Sequence, residues 1–320
     1  MRRLNFQMPD HILTGHDPRM DKLMNVEPSD DGVAQCKAQL IEEMALSEQE
    51  RHSFTKTEFW IEDEPRTVYQ RALQALNDGQ VPYILSGAFA IHHYTGIYRE
   101  TKDLDLFFEP ENVVAAARVL KEAGFRVHVE QPHWVAKATM GEYFVDMIYG
   151  IGNGLGLIDA DWFRNSHPAI LADQAVKVAP PEEMIWHRLF ISERHRNDMA
   201  DTIHLIYRLG GKLDWERLVA RTGDHWPLLL CNLLQFRYIY PGFADYVPDG
   251  VLKSLLDRAE QRLGLKGNRD KVTRGTLMSL FSFQVDVKDW GFQDLRMEAI
   301  TRTMQDPRIG RLIQDPVWEK

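Results

Sequence analysis

Residues 85–110 read LSGAFAIHHYTGIYRETKDLDLFFEP, and this stretch decides the fold. Val81-Pro82 reopens an extended chain, residues 83–85 continue it as a short apolar strand, and Ser86-Gly87 ends it. Ala88 to Tyr94 has helical character and stops at Gly96. Residues 103–108 then alternate with a period of two, which puts Asp103, Asp105 and Phe107 on one face and Leu104, Leu106 and Phe108 on the other. A core-forming strand thus carries two carboxylates side by side, with Arg99 and Lys102 just before them. Like charges a few ångströms apart repel unless something positive lies between them. A hard divalent cation, Mg2+ or alternatively Mn2+, suits carboxylate oxygens.

A third carboxylate joins them. Residues 143–149 read YFVDMIY, so Asp146 sits mid-strand among apolar neighbours, where an unpaired charge costs roughly several kcal/mol. With that strand beside residues 103–108, Asp103, Asp105 and Asp146 meet as metal ligands. Such a trio can hold the two metal ions that stabilise attacking and leaving oxygens in phosphoryl or nucleotidyl transfer. The Ser86-Gly87 turn, at a strand end and a helix start, offers backbone N–H groups to an anion, and Gly87 permits close approach. Arg99 and Lys102 add positive charge for a triphosphate. Lys137, alone among apolar residues in the strand before Asp146, reads either as a nucleotide contact or as a solvated position.

Outward from this centre, residues 1–28 lack periodicity and read as an extended arm, and 32–48 as an amphipathic helix. Helices are expected at 64–78 and 111–123, with strands at 126–130, 134–139, 143–149 and 175–178. Met140-Gly141 is the turn of a hairpin. The Gly-rich run 150–156 lacks the strand–GxGxxG–helix order of a dinucleotide site and reads as a mobile connector. After Pro180-Pro181 the pattern becomes helical, at 181–193, 197–209, 214–221, 227–239 and 249–263; the tail from Val272 has no assignable pattern. The expected organisation is an N-terminal arm and helix over 1–63, a mixed β-sheet core flanked by helices over 64–180, and a helical C-terminal region over 181–320. The fold class is α+β.

Composition narrows the function. The chain has 320 residues, 44% hydrophobic, with a net charge of -9, which argues against a general basic surface for nucleic acid and leaves a local basic pocket open. Cys36 and Cys231 are too few for a disulfide framework or a Cys-rich zinc site. The first residues, MRRLNFQMPDHILTG, lack the apolar segment of a secretory signal, and no apolar run is long enough for a membrane. A cytoplasmic location is the expectation. His187, His195 and His204 are spaced by 8 and 9 residues, which does not stack them as metal ligands on one helix face, so they read as helix-surface or core histidines.

The stretch resembles the nucleotidyltransferases of the DNA polymerase β-like superfamily, and within it the AbiEii-type and minimal nucleotidyltransferase branch. The resemblance lies in Ser86-Gly87-Ala88, in Arg99-x-Thr101-Lys102-Asp103-Leu104-Asp105, in the strand of Asp146, and in PPEEMIWHRLFISERHRNDMADTIHLI at 180–206. It implies a nucleotidyltransferase core with catalytic, metal-binding Asp103, Asp105 and Asp146. It also implies nucleotide contacts from Ser86, Gly87, Arg99, Thr101 and Lys102. Arg188 stands nearest the family's helical Lys, and Asp198 or Asp201 nearest its later Asp. The expected activity is Mg-dependent transfer of an NMP group from an NTP such as ATP to an acceptor hydroxyl, with release of pyrophosphate. The acceptor is left open among a small molecule, a protein side chain and a tRNA end. The alternative is a non-catalytic nucleotide-binding or interaction module, such as one partner of a toxin–antitoxin pair.

Overall fold

The structure is a computed structural model that describes residues 54–55, 61–210 and 212–319. The arm and helix expected over 1–48, and Cys36 with them, lie outside the described residues. From Ser53 to Lys320 the chain forms one compact unit.

A seven-stranded mixed sheet organises this unit. In chain order, strand β1 (Phe54–Thr55) precedes helix α1 (Asp63–Asp78), then come β2 (Ile84–Leu85), α2 (Gly87–Thr95), β3 (Ile97–Tyr98) and β4 (Asp103–Phe107). Helix α3 (Pro110–Glu122) leads to the meander β5 (Arg126–Gln131), β6 (Val135–Met140) and β7 (Tyr143–Ile148). Short α4 (Ala160–Arg164) precedes the hairpin β8 (His167–Leu171) and β9 (Gln174–Val178). The sheet order is β5-β6-β7-β4-β2-β9-β8, while β1 pairs with β3 apart from it. Strand β4 lies at the centre, parallel to β7 and antiparallel to β2.

The alternation in β4 is what seats it there. Leu104, Leu106, Phe107 and Phe108 are essentially inaccessible, each contributing about 1.5–3 kcal/mol of apolar burial. Asp103 and Asp105 point to the other face, which they share with Phe107, and both are only partly buried. Strand β8 escaped the sequence reading. Its exposed face mixes His167, Pro168 and Ile170, so no period of two is visible, and the turn is made by Ala172 and Asp173 at positive φ rather than by glycine.

Beyond Pro180 the expected helices form, with shifted ends: α5 (Pro181–Arg188), α6 (Met199–Leu209), α7 (Trp215–Thr222), α8 (Trp226–Ile239) and α9 (Asp249–Glu260). Helix α5 ends at Arg188, short of the expected 193. Residues 191–198 fold back instead, with the Glu193 N–H donating to the Arg196 carbonyl at 2.8 Å. The tail also acquires structure: β10 (Val272–Thr273) pairs with β11 (Gln293–Asp294), alongside α10 (Leu280–Lys288), α11 (Leu295–Met304) and α12 (Pro307–Gln314). Helix α2 packs on α6, α5 on α6 and α7, and α12 on α3. Core residues on both sides of Pro180 belong to one cluster, from Val68 to Val317. Among the described residues no helix is long and apolar enough to cross a membrane.

Candidate active site

Strand register makes the site. Asp105 of β4 pairs directly with Asp146 of β7, and Asp146 in turn with Lys137 of β6, so the three side chains form a row across the sheet. Asp103 lies two residues back on the face of Asp105. Carboxylate oxygens of Asp103, Asp105 and Asp146 come within 4.8 Å of one another. They form the floor of a cavity of about 310 Å³ that Ser86, Gly87 and Arg188 also line.

The charges are strained against one another. The Asp105 carboxyl is pushed up to about 7, first by burial and then by Asp103 and Asp146, while Arg188 and Arg196 pull the other way. Burial also raises Asp146, opposed by Lys137, whose Nζ lies 2.7 Å from Asp146 Oδ1 and 3.9 Å from the centre of the Phe144 ring. Thr101 Oγ1 donates to Asp103 Oδ1. Clustered, partly buried carboxylates with a single close ammonium group are short of positive charge. A divalent cation fits that donor set.

Gly87 closes one side of the floor. Its φ is +61°, and a Cβ there would stand 2.7 Å from Asp105 Cγ, so only glycine lets helix α2 start this close to the carboxylate. The Ser86 N–H donates to the Asp105 carbonyl at 2.9 Å, which ties the turn to the strand of Asp103 and Asp105.

The other expected contacts are distributed. Arg188 is buried, with its Nε 3.3 Å from Asp201 and 3.8 Å from Asp198. Arg99 reaches the same Asp201, donating from Nη1 to Oδ2 at 3.1 Å. Burial pushes Asp201 up, but the bonds and charges of Arg99 and Arg188 outweigh it and hold the carboxyl below its usual range. Asp198 accepts two bonds from Arg196 at 3.0 Å. Thus Arg99, Arg188, Asp198 and Asp201 meet behind the cavity, and of these Arg188 lines it. Lys102 is exposed and lies 2.6 Å from Glu142, outside the cavity lining.

Several lining residues were not among the expected site residues. His187, read as surface or core, faces the cavity and packs on Phe107 with ring centres 6.0 Å apart. Burial, then Arg188 and Arg196, lower it to about 3, so it is neutral. Glu193, Arg196 and Arg296 line the wall, as do Gly152 and Asn153 of the Gly-rich run. That run is a clamped loop rather than a mobile connector. Asn153 Nδ2 donates to the Leu277 carbonyl at 3.1 Å, Arg296 Nη2 to Gly152 at 2.9 Å and Thr303 Oγ1 to Gly154 at 3.0 Å.

No curated protein matches the chain in sequence. Among solved structures it is similar to the antibiotic-resistance factor ANT(2'')-Ia in solution, at 17% identity over 53% of this chain and 96% of that one, with a TM-score of 0.39. It is also similar to the lincosamide antibiotic adenylyltransferase LnuA with lincomycin bound, at 18% identity, 44% and 95% coverage and a TM-score of 0.32. A third is JHP933 from Helicobacter pylori, at 12% identity, 63% and 97% coverage and a TM-score of 0.34. These likenesses are distant, and the family assignment stands without them. Residues 40–227 match the model of a family described as uncharacterised nucleotidyltransferase, a match that spans more than half of the chain. The chain therefore belongs to that family and is a nucleotidyltransferase.

Proposed function

We propose that this enzyme transfers an NMP group from an NTP to an acceptor hydroxyl in a reaction that depends on Mg2+ or Mn2+. The observation that carries the reading is the convergence of Asp103, Asp105 and Asp146 beside a glycine turn that tolerates no side chain. Those three carboxylates would hold the metal. When bound, a divalent ion there offsets the negative charge of the triphosphate and of the transition state.

The chain's own groups account for the rest. Backbone N–H groups at the start of α2, with the helix dipole behind them, favour the phosphates of the donor at Gly87. Arg188 and Arg196 bring positive potential to the wall facing Asp105, an effect visible in the way both oppose its raised pKa. The acceptor oxygen attacks the α-phosphorus as the bond to the bridging oxygen of pyrophosphate breaks. Asp146, which accepts a hydrogen bond from Lys137, would take the hydroxyl proton. Neutral His187 contributes a hydrogen-bonding edge without adding charge. Arg99 would act indirectly, by holding Asp201 and through it Arg188, while Lys102, paired with Glu142 outside the lining, has no direct part in this reading.

The test is pyrophosphate release by the full chain with each NTP, Mg2+ and total cell extract. Release that requires both metal and extract supports the reading. Release of orthophosphate alone, or none with any NTP, contradicts it.

A further inference from the structure

One cation lining the cavity has no acid bonded to it among the described residues. Arg188 and Arg196, two of the lining cations, are engaged by Asp198 and Asp201. Glu193, the lining acid outside the metal trio, is engaged too: its Oε2 accepts from Ser279 Oγ at 2.5 Å and its Oε1 from the Leu280 N–H at 2.9 Å. Arg296 differs. Its guanidinium donates to two neutral carbonyls, Gly152 at 2.9 Å and Thr276 at 3.3 Å, and it has no carboxylate bonded to it among the described residues. Glu193 and Asp294 act on it only through space, and burial holds it below the usual arginine range. The two carbonyl bonds fix the planar fork, and its remaining donors are left for a ligand.

Its place relative to the donor end can be read across the sheet. Gly87 contacts Asp105 from the β2 side of β4, and the row then runs through Asp146 to Lys137 on β6. The carbonyl that Arg296 holds, that of Gly152, also receives His133 Nε2 at 3.1 Å, and Gly152 lies against the Trp134 ring. Both residues lead into β6. Arg296 and the phosphate-binding turn therefore flank the carboxylates from opposite sides. Arg296 also lies on α11, outside the matched residues 40–227, in a part of the chain that the family model does not describe.

We propose that Arg296 is the acceptor-side anion contact, and that the acceptor is a small hydroxyl compound bearing a phosphate or carboxylate that docks on its guanidinium. This rests on the nucleotidyl-transfer reading above. Arg296 lines the same cavity as the three carboxylates, so an anion docked on it lies in the cavity that holds them. A fixed guanidinium free of acid partners selects a planar or tetrahedral oxyanion and disfavours a polycation.

Inorganic phosphate titrated calorimetrically into the metal-free full chain is the first probe. Binding is expected, weakened about tenfold or more in Arg296→Gln and by less in Arg296→Lys, which keeps the charge and loses the fork. It should persist after saturation with Mg2+ and a non-hydrolysable NTP. Absence of phosphate binding by the parent, equal binding in the Gln variant, or displacement by the NTP analogue would each overturn the proposal, the last by giving the anion to the donor. The second probe is α-labelled NTP with cell extract fractionated by size and charge. Label is expected in a low-mass product, distinct from the NTP, that phosphodiesterase splits into NMP and a compound retained by an anion exchanger; a released compound that is neutral or cationic, or label on RNA or protein, overturns it. If phosphate binds at Arg296 but no NTP binds, the transferase reading is what has failed, and the acceptor role goes with it.

Discussion

Asp105→Asn separates a functional carboxylate from a stabilising one. In the metal-free protein Asp105 is held from 3.8 up to about 7 by burial, Asp103 and Asp146. A carboxyl raised in the folded state binds a proton there that the unfolded chain has already released. Stability therefore falls as pH rises from about 4 to 7, and the cost is fully present above that window. At 1.36 kcal/mol per pH unit the shift corresponds to at most about 4 kcal/mol. Water entering the cavity reduces it, so about 1–3 kcal/mol is expected, or roughly 2–6 °C in Tm. Asparagine keeps the shape and removes the charge. At pH 8 with EDTA the variant should melt higher than the parent by that amount. The gain should vanish below about pH 4, where Asp105 is protonated. Added Mg2+ should raise the Tm of the parent and not that of the variant. A variant that melts lower than the parent at pH 8 without metal would refute the reasoning, because Asp105 would then be a structural anchor.

Three further outcomes follow from the geometry. Lys137→Met removes the ammonium 2.7 Å from Asp146, so that carboxyl should protonate more readily and the Mg2+ needed for half-maximal transfer should rise about tenfold, read from metal titrations of the rate. Arg188→Ala leaves buried Asp198 and Asp201 to Arg196 and Arg99; loss of about 3 kcal/mol in urea unfolding is expected, with most of it spared in Arg188→Lys. Gly154→Ala places a Cβ 2.5 Å from the Ile300 amide nitrogen at a φ of +78°, so it should cost about 1–2 kcal/mol or more in stability and open the loop at 150–157 to proteolysis.

The centre of the fold was legible because its signals are local. The alternation of Asp103 to Phe108, the Ser86-Gly87 turn and the lone Asp146 in an apolar strand each lie within a few residues. Their periods are those of the elements they form. The family resemblance to nucleotidyltransferases rested on the same residues. What lay hidden was long-range. Lys137 could be assigned to Asp146 only once the β6–β7 register was known, since its own strand offered no reason to choose a nucleotide over solvent. Helix α10 buries none of its residues, so it shows no amphipathic stripe, and the tail around it reads as pattern-free. The wall of the cavity depends on that tail: Arg296 meets Gly152 across 144 residues, and Asn153 meets Leu277 across 124. Such pairings carry no spacing that a linear reading can detect. The early end of α5 had a similar cause, because Glu193 is drawn away to cap Ser279 and Leu280.

The central claim is that three carboxylates on β4 and β7 serve transfer of the α-phosphoryl end of an NTP. The most direct measurement compares α- and γ-labelled NTP in parallel, with Mg2+ and cell extract, for the parent and for Asp105→Asn. The parent should move α-label onto an acceptor and send γ-label into pyrophosphate, and the variant, though folded, should do neither. Gamma label appearing on the acceptor, or α-label transfer persisting in Asp105→Asn, would contradict it.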